Sequence, residues 1–511
     1  MTPPLPTLNA ELLRSGAPAG RLAVPDPALL ELPERVVQFG TGAFLRGFVE
    51  DFVDAANRRG AFDGRIVMVG STGSGRDRVL GEQDGLYTLC VQGVEDGRVR
   101  RERRVIASVS RALSAHGDWD AVLATARDPR IELVFSNTTE VGIALDEGDR
   151  PDLAPPRSFP GKLARWLWER ARAFGFDPAR GVVVLPCELI EDNGARLREI
   201  VLTLAERWGF GAEFAAWIDA AVPFCNTLVD RIVPGTPRDD ERAREEAELG
   251  YRDGLLTVAE VYTLFAIEGD GALRARLRFA EGEPGILVTP DVAPYRERKV
   301  RLLNGGHTVT VPAALLAGCE TVLEAVGHEH VGAFLRRAML EEIVPTLDAP
   351  GAEEYARQVL DRFANPFVRH ALIDISLQQT MKTRVRVVPS IVRWAERFGD
   401  APPSLAFGFA AYLLYMRGDV QERRRAAGLP VPADDQGDRV RAMWSALHDG
   451  SDASLAALVK VACADRALWG TDLARVPGFA KAVTCSLVRA HRDGVSAALE
   501  AHLAAPAASA A

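Results

Sequence analysis

The sequence predicts an α/β protein in which an N-terminal, Rossmann-like doubly wound sheet is followed by a mostly α-helical C-terminal domain. Short runs rich in Val and Leu alternate with helical stretches through the first half of the chain, as in a parallel sheet that is covered on both faces. A glycine turn follows the first run, and the character changes from about residue 240 towards helical spacing. We place the first domain at residues 25–290 and the second at residues 291–500.

Four runs in the first half are predicted to be buried parallel strands. They are Arg35–Phe39, Gly64–Ser71, Ile131–Ser136 and Gly181–Pro186. Two further strand-like pieces, Leu277–Ala280 and Gly285–Pro290, precede the helical region. Ligands of an open α/β sheet lie outside the carboxyl ends of the strands. Cofactor and substrate are therefore expected to meet at the polar residues after the third and fourth strands, Ser136 to Glu140, which include Asn137 and Thr138, and Cys187 to Asn193.

The first strand runs into a glycine turn and an amphipathic segment. These residues are Gly40, Thr41, Gly42, Ala43, Phe44, Leu45 and Arg46. They suit a nucleotide pyrophosphate, because Gly40 permits a tight turn, Gly42 lets the backbone approach and the helix start offers N–H donors. Leu45 replaces the third glycine of this fingerprint, and a lone Gly-x-Gly after a strand is also common in ordinary turns. The strand that follows the helix supplies the context that the motif requires.

The end of the second predicted strand lacks the acidic residue that normally accepts hydrogen bonds from the ribose 2′-hydroxyl of NAD. It offers Ser71, Thr72 and Arg76 instead. Small hydroxyl residues followed by an arginine suit a 2′-phosphate, so NADP stays open beside NAD. An ordinary surface loop is the alternative interpretation.

A second motif lies on the segment Lys299-Val-Arg-Leu-Leu-Asn-Gly-Gly-His307, which is predicted to be helical. At about 100° per residue, Asn304 and His307 are i,i+3 neighbours, whereas Lys299 lies roughly 80° from His307 and about 140° from Asn304. A long lysine side chain spans that gap. A lysine amine buried beside neutral hydrogen-bonding groups has a lowered pKa, which favours proton exchange with an alcohol oxygen. An ordinary amphipathic helix is the alternative for this triplet taken alone.

Composition and charge narrow the class of protein. The chain has 511 residues, of which 47% are hydrophobic and 26% charged, as in globular proteins of two or three domains. The net charge of -9 is spread along the chain without a basic stripe, which argues against nucleic acid as a partner and gives no basis for a membrane-surface role. The N-terminus lacks a basic region followed by an apolar run, and no apolar stretch is long enough to span a bilayer, so a cytoplasmic location is predicted. The oligomeric state stays open.

The cysteines and histidines form no pattern typical of a metal site. Six isolated cysteines are expected to be buried, reduced core residues, at positions 90, 187, 225, 319, 463 and 485. His328 and His330 point to different sides of a helix at their spacing, and an exposed loop is expected there. The single histidines, His370 and His502 among them, are predicted to be surface or capping residues.

With both motifs in view, the chain resembles the mannitol dehydrogenase family of polyol-specific long-chain dehydrogenases. Lys299, Asn304 and His307 match its Lys-x-x-x-x-Asn-x-x-His signature, and the segment from Gly40 to Arg46 matches its Gly-x-Gly-x-Phe-x-Arg start. The likeness covers nearly the whole chain. Where mannitol dehydrogenases usually carry Cys-Asp-Asn, this chain has Cys187-Glu188-Leu189, which favours the uronate branch of the family over the polyol branch.

The resemblance implies a metal-free transfer of hydride between a nicotinamide cofactor and a secondary alcohol or ketone. The uronate branch implies NAD as the cofactor and D-tagaturonate and D-altronate as the substrate pair. The alternatives within the family are a fructuronate reductase, which makes mannonate, and a mannitol or arabinitol 2-dehydrogenase.

Family positions imply a role for five residues. Lys299 gives a proton to the growing alkoxide, and Asn304 and Asn193 donate hydrogen bonds to the same oxygen, as in an oxyanion hole. His307 bonds a neighbouring hydroxyl or orients Lys299. Asp230 matches a position that contacts substrate hydroxyls, and an ion pair with its arginine neighbour is the alternative.

A basic segment near residue 382 is implied in carboxylate binding. Lys382 matches a family lysine near the substrate, and Arg384 or Arg386 is expected to join it, because a guanidinium binds a carboxylate bidentately. A solvated basic helix face is the alternative. Mannitol dehydrogenases place an arginine eight residues before this lysine, where this chain has Asp374, so that contact does not carry over.

Two other classes of function stay open. One is a nucleotide-binding regulatory protein that performs no chemistry, and the presence of Lys299 speaks against it. The other is a metal-dependent isomerase or epimerase that acts on tagaturonate or a related uronate. Sensitivity to a chelator distinguishes this class from the metal-free oxidoreductase.

Overall fold

The computed structural model describes residues 5–16, 22–71, 75–138 and 142–505. The chain divides into two compact units. The N-terminal unit consists of Met1–Gly93 and Val99–Val292, and the C-terminal unit consists of Val94–Arg98 and Ala293–Ala511.

The N-terminal unit mixes strands and helices. Its strands are β1 Leu22–Ala23, β2 Glu34–Phe39, β3 Arg65–Gly70, β4 Tyr87–Glu95, β5 Arg98–Ile106, β6 Val109–Ser114, β7 Leu133–Ser136, β8 Val183–Pro186, β9 Thr227–Asp230, β10 Thr257–Ala259, β11 Leu264–Glu268 and β12 Ile286–Thr289. Its α-helices are α1 Ala10–Arg14, α2 Ala43–Arg46, α3 Val49–Arg58, α4 Arg76–Glu82, α5 Trp119–Ala126, α6 Phe159–Ala173, α7 Asn193–Arg207, α8 Ala212–Ala221, α9 Asp239–Leu249 and α10 Gly271–Arg276. Short 3-10 helices cover Pro27–Glu31, Pro178–Arg180 and Arg278–Ala280.

The central sheet has five parallel strands in the order β6-β3-β2-β7-β8. Alternate residues of β2 enter different cores: Val37 and Phe39 pack among α5 to α8, whereas Val36 packs with α3 on the other face. Such two-sided burial requires nearly continuous apolar strands, which explains the Val-rich runs. The predicted Rossmann-like sheet is confirmed.

The register of this sheet brings three loops together. Phe39 at the end of β2 pairs with Ser136 of β7, which in turn pairs with Pro186 of β8. The residues that follow these three ends, Gly40, Asn137 and Cys187, therefore share one edge of the sheet.

Two smaller sheets complete the strands described in this unit. One has the order β12-β11-β9, with β11 parallel to β12 and antiparallel to β9. The other has the order β1-β5-β4-β10. The predicted strand Leu277–Ala280 was wrong: Leu277 is the C-cap of α10, and Arg278–Ala280 forms a 3-10 helix. The strand-like alternation of apolar and other residues in this stretch arises because Leu277 and Phe279 both pack into the core.

The C-terminal unit is helical, as predicted. Its α-helices are α11 Ala293–Lys299, α12 Gly305–Leu316, α13 Val322–Gly327, α14 Glu329–Arg337, α15 Ala352–Phe363, α16 Leu372–Ile375, α17 Gln379–Lys382, α18 Val388–Phe398, α19 Pro403–Met416, α20 Asp419–Ala426, α21 Gly437–Leu447, α22 Asp452–Ala464, α23 Arg466–Trp469, α24 Phe479–Asp493 and α25 Val495–Ala504. π-Helical turns cover Val300–Asn304, Ala338–Ile343 and Thr383–Val387, and 3-10 helices cover Val344–Thr346 and Leu473–Arg475.

Helix α19 forms the centre of this unit. Every residue from Ser404 to Met416 is buried, and the helix packs against α12 and α24. Its first turn is capped by Glu342, whose carboxylate accepts the backbone N–H groups of Ser404 at 2.6 Å and Leu405 at 2.8 Å. Among the described residues, no helix combines the length and the apolar character needed to cross a membrane.

Several single-residue expectations need correction. Five of the six cysteines are buried and free, but Cys485 is exposed. His328 lies at the N-cap of α14 rather than in an exposed loop, and its ring accepts the N–H of Val331. His502 is not a surface residue: its ring packs on Phe407, and burial lowers its pKa to about 4.

Candidate functional site

The glycine turn after β2 has a backbone that only glycine adopts easily. Gly40 has a φ of +123°, and a Cβ placed there would lie 2.9 Å from the carbonyl oxygen of Asn137. Gly42 is the N-cap of α2, and no atom lies within 4 Å of a Cβ placed on it. The turn is therefore tight on the protein side at Gly40 and open at Gly42, as backbone approach to a phosphate group requires.

Buried polar side chains support this turn from behind. Arg46 donates to the carbonyl oxygen of Thr41 at 2.8 Å and to the hydroxyl of Thr257 at 3.0 Å. Gln38 donates to the carbonyl oxygen of Gly40 at 3.0 Å and to Glu50 at 2.9 Å. Burial raises the pKa of the Glu50 carboxyl and lowers the pKa of Arg46. Arg46 was predicted to bind the cofactor. Its guanidinium instead hydrogen-bonds the backbone of the turn.

The other predicted cofactor residues divide by exposure. Thr41 and Leu45 are buried, whereas Ala43 and Phe44 are half-buried, and Phe44 stacks on Phe48 with ring centroids 5.0 Å apart. Ser71, at the end of β3, is exposed.

The residues invoked for a 2′-phosphate lie around the start of α4. Arg76 is its first residue and is exposed, whereas Thr72 lies outside the described residues.

The loop after β7 is tied to the end of β8 by a buried carboxylate. Glu188 accepts hydrogen bonds from the hydroxyl of Ser136 at 3.1 Å and from the backbone N–H of Thr138 at 3.0 Å. The side-chain amide of Asn137 donates to the carbonyl oxygen of Cys187 at 2.7 Å. Burial raises the pKa of the Glu188 carboxyl. These bonds fix the loop that faces the glycine turn. Thr139 and Glu140 lie outside the residues that the structure describes.

Asn193, predicted to donate to the substrate oxygen, is a buried structural residue. Its amide nitrogen donates to the carbonyl oxygens of Pro186 at 3.0 Å and Glu188 at 3.1 Å, and to the hydroxyl of Thr227 at 3.1 Å. Its amide oxygen accepts the N–H groups of Gly194 and Thr227, each at 2.9 Å. Because its donors are already bonded within the protein, we assign Asn193 to holding the loop after β8 rather than to direct contact with the substrate oxygen.

Asp230 ends strand β9 and is buried. The neighbouring Arg231 is also buried, and it pairs with Asp51 at 2.6 Å and donates to the carbonyl oxygens of Gly47 at 2.7 Å and Glu260 at 2.9 Å. Arg231 therefore takes part in a buried ion pair with Asp51.

The helix that carries Lys299 contains a π-helical turn. Helix α11 ends at Lys299, the π turn covers Val300–Asn304, and α12 begins at Gly305. The backbone N–H of Gly305 reaches the carbonyl oxygen of Val300, five residues earlier. With i→i+5 bonding, residues five apart lie one turn above each other. Lys299 and Asn304 are therefore brought onto one face, instead of standing about 140° apart as a regular α-helix would place them.

The three residues of the motif are all partly accessible. Lys299, Asn304 and His307 are each half-buried. Within the described part of the chain, the side-chain amide of Asn304 has no protein hydrogen-bond partner, in contrast to that of Asn193. π-Helical turns occur frequently at functional sites, which agrees with this segment as a candidate active site.

The double glycine after Asn304 allows close helix packing. A Cβ on Gly305 would lie 3.2 Å from the carbonyl oxygen of Arg386, and one on Gly306 would lie 3.0 Å from the sulfur of Met339. Two other chain segments therefore press against the start of α12. A methyl group at either position would require these neighbours to shift by a few tenths of an ångström.

His307 lies in an aromatic and basic environment. Its ring is 3.9 Å from that of Phe363 and 6.0 Å from that of His370, measured between centroids. Burial, reinforced by His370, Arg362, Arg386 and Lys382, lowers the pKa of His307 to about 3. The imidazole is therefore neutral near pH 7 and able to donate or accept a hydrogen bond. His370, predicted to be a single surface residue, is half-buried beside His307.

Lys382 and Arg386 lie at the third π-helical turn. The Lys382 amine donates to the carbonyl oxygen of Ile375 at 2.9 Å, and the Arg386 guanidinium lies 3.4 Å from the hydroxyl of Thr308, the residue after His307. Burial, with Arg386 nearby, lowers the pKa of Lys382, and burial lowers the pKa of Arg386.

Arg384 occupies a different place. It is exposed, its guanidinium reaches Gly470, and it lines a cavity of about 540 Å³ together with Glu297 and Arg393. The structure therefore places Arg386, and not Arg384, beside Lys382 and His307. The i,i+4 spacing from Lys382 to Arg386 is a sequence signal for this pairing, whereas nothing in the sequence indicated Phe363 or His370.

Comparison with known proteins shows the family to which the chain belongs. Residues 34–281 match the mannitol dehydrogenase Rossmann domain, and residues 291–490 match the mannitol dehydrogenase C-terminal domain. The chain belongs to the mannitol dehydrogenase family. It is therefore an oxidoreductase of the mannitol dehydrogenase type.

Family members with high similarity over nearly the whole chain are named altronate oxidoreductase. The protein of Yersinia enterocolitica is 41% identical over 92% of this chain and 97% of its own length, and that of Pectobacterium atrosepticum is 42% identical with the same coverage. The Bacillus subtilis protein is 40% identical over 92% of this chain and 95% of its own length.

Two solved structures of the family share the fold. Mannitol 2-dehydrogenase of Pseudomonas fluorescens, in a ternary complex with NAD and D-mannitol, is 26% identical with a TM-score of 0.65 over 98% of this chain and all of its own. A substrate-free D-sorbitol dehydrogenase is 25% identical with a TM-score of 0.76 over 96% of this chain and all of its own. Within the described residues, no group of three or more His, Cys, Asp or Glu side chains is arranged to hold a metal ion.

Proposed function

We propose that this member of the family is an NAD-dependent oxidoreductase that interconverts D-tagaturonate and D-altronate in hexuronate catabolism. The substrate assignment is supported by the curated relatives named altronate oxidoreductase, which align with this chain over almost their full length. The cofactor assignment is supported by the mannitol 2-dehydrogenase whose complex contains NAD. The geometric observation that carries the proposal is the π turn that aligns Lys299 with Asn304.

The residues of the glycine turn fit a dinucleotide. We assign its binding to residues 25–290, with the pyrophosphate against the open backbone at Gly42 and the half-buried Ala43 and Phe44 beside it. The tight packing of Gly40 on Asn137 keeps this backbone in place. When bound, the nicotinamide supplies or accepts the hydride.

Catalysis is assigned to residues 291–500. In the reducing direction the keto carbon gains a hydride from NADH, and the protonated Lys299 amine gives its proton to the oxygen that becomes the alcohol. Asn304 donates a hydrogen bond to the same oxygen while its negative charge grows, a contact worth a few kcal/mol. In the oxidising direction, neutral Lys299 removes the hydroxyl proton.

Three further residues are assigned to the remainder of the substrate. His307 hydrogen-bonds a neighbouring hydroxyl as a neutral imidazole, in agreement with its lowered pKa. Asp230 accepts from a substrate hydroxyl, and Lys382 contacts the substrate, both by family position. Asn193 holds the loop after β8 in place.

A spectrophotometric assay tests the substrate and the cofactor. Absorbance of the reduced nicotinamide is followed with tagaturonate, fructuronate and fructose, each with NADH and with NADPH. The highest kcat/KM is expected for tagaturonate with NADH, and full activity is expected in excess EDTA. A higher value for fructuronate would reassign the substrate, and loss of activity in EDTA would contradict a metal-independent reaction.

A substitution tests the proton transfer. Lys299→Met is expected to lower kcat by roughly 100- to 10,000-fold, the usual range for a general acid–base group, with NADH affinity changed less than about twofold. Lys460→Met, at an exposed lysine of α22, is the matched control and should retain wild-type rates. A Lys299→Met enzyme that keeps most of its kcat would rule out the assigned role.

A further inference from the structure

Lys382 and Arg386 are two cations held close together without a carboxylate. Both are half-buried, and the pKa of Lys382 responds to the charge of Arg386. Within the described ranges, neither side chain pairs with an Asp or a Glu, since their hydrogen bonds go to a carbonyl oxygen and a hydroxyl. Burying like charges beside each other is unfavourable unless an opposite charge is supplied.

Neighbouring arginines of the same unit are paired. Arg393, on helix α18, lies 3.1 Å from Glu297, and the half-buried Arg301 lies 3.8 Å from the same carboxylate. Glu297 therefore serves as the carboxylate partner of two other arginines near the segment that carries Lys299. Lys382 and Arg386, close to His307, have no such carboxylate partner among the described residues.

The contacts of Arg386 fix its guanidinium beside the substrate-binding residues. Its backbone is pressed against Gly305, and its side chain reaches Thr308, which directly follows His307. The hydrogen bond to Thr308 uses one edge of the guanidinium. A guanidinium carries five N–H donors in a planar fork, so donors remain for a carboxylate.

We propose that Arg386 binds the carboxylate of the sugar-acid substrate, with Lys382 as the second cation, and that this contact selects a uronate over the corresponding neutral ketose. The inference rests on the proposed function. A uronate places its carboxylate at the end of the molecule remote from the keto carbon, so a group separate from Lys299 must receive it. Buried charge-assisted pairs of this kind are the strong ones.

Steady-state kinetics of Arg386→Met with saturating NADH test the proposal. The KM for tagaturonate is expected to rise about 100-fold while kcat falls less than about fivefold, because the contact is remote from the reacting carbon and is made equally in ground and transition states. Arg386→Lys keeps the charge without the fork and should show an intermediate KM, about tenfold above wild type. Reduction of D-tagatose, which has a CH2OH group in place of the carboxylate, is followed in parallel, and its kcat/KM should change less than threefold.

Two comparison variants make the result specific. Arg397→Met removes an arginine that pairs with Asp348 at the surface and controls for the loss of one arginine charge from the same region of the chain. Arg384→Met tests the neighbouring arginine, and a larger rise in KM there than in Arg386→Met would overturn the proposal.

The remaining outcomes are equally decisive. An unchanged KM for tagaturonate, or equal losses on tagaturonate and tagatose, would contradict carboxylate recognition by Arg386, and the KM decides where tagatose is too slow to measure. NADH affinity and melting temperature near the wild-type values show that the variant is folded. If the wild-type enzyme itself does not reduce tagaturonate, the proposed function fails, independently of Arg386.

Discussion

Cations are paired differently around Asp51 and Asp54, in the N-terminal unit, and around His307, in the C-terminal unit. In the N-terminal unit, Asp51 accepts from Arg231 at 2.6 Å and from Arg104 at 2.8 Å, and Asp54 pairs with Arg58 at 2.6 Å. In the C-terminal unit, Lys382 and Arg386 have only neutral partners.

The difference separates charges that hold the fold from charges that await a ligand. A buried cation that is satisfied by protein carboxylates gains nothing from a substrate anion, and its removal leaves an unpaired carboxylate. A cation with neutral partners can bind an anionic substrate. Its removal should change the stability of the unliganded protein only slightly.

The largest effect is expected when the charge pairing of the N-terminal unit is broken. Arg231→Met leaves the carbonyl oxygens of Gly47 and Glu260 without this donor and Asp51 with Arg104 as its remaining partner, which should destabilise this unit by about 3–5 kcal/mol, as for other broken buried pairs. Thermal unfolding followed by circular dichroism measures the change. Arg78→Met, at an exposed pair with Glu82, should leave the melting temperature almost unchanged, and a similar effect of both substitutions would remove the contrast.

A buried carboxylate of the C-terminal unit provides the next test. Burial raises the pKa of Glu342 to about 7, above its unfolded value of about 4.5. The stability that it contributes is therefore fully present below about pH 4.5 and is lost as the pH rises through about 7, with a total cost of roughly 3 kcal/mol.

Glutamine at this position is neutral, like the protonated carboxyl, but its amide nitrogen cannot accept one of the two backbone N–H groups that Glu342 caps. The melting temperature of Glu342→Gln should therefore change less between pH 5 and pH 8 than that of the wild type. An equal pH dependence in both proteins would show that Glu342 does not titrate in this range.

Substitutions of the two glycines of the turn distinguish an effect on stability from an effect on cofactor binding. The smallest change in stability is expected at Gly42. Gly42→Ala adds a methyl group into open space, so the melting temperature should change by less than about 2 °C, whereas NADH affinity should fall about tenfold because the phosphate group is kept at a distance. Gly40→Ala, with its positive φ and the nearby carbonyl of Asn137, should lower both. Normal NADH binding by Gly42→Ala would contradict the assigned cofactor position.

Features of the structure that depend on neighbouring residues could be predicted from the sequence, whereas features that depend on contacts between distant segments could not. The parallel strands and the turn at Gly40 depend on local apolar runs and glycine, and they were predicted. The alignment of Lys299 with Asn304 was not, because the π turn replaces the regular helical spacing, and the close approach of Arg386 to Gly305 belongs to tertiary packing.

The residues around the predicted site show the same division. Asn193 was assigned from its family position, but its bonds to Pro186 and Thr227 depend on strands that lie far apart in the sequence. His370 lies in the segment between α15 and α16. Nothing in its sequence neighbourhood indicated that it lies close to His307. Arg384 and Arg386 differ in their packing, and only the i,i+4 spacing indicated which of the two lies beside Lys382.

The most direct test of the contrast is the melting temperature of Arg386→Met with saturating NADH, measured with and without D-altronate, a combination that cannot react. Without altronate the variant should melt at or slightly above the wild-type temperature, because a buried cation without a carboxylate has been removed. Altronate should raise the melting temperature of the wild type by mass action and should have little effect on the variant. A variant that is destabilised without altronate, as expected for Arg231→Met, or one that is stabilised by altronate as much as the wild type, would contradict the account.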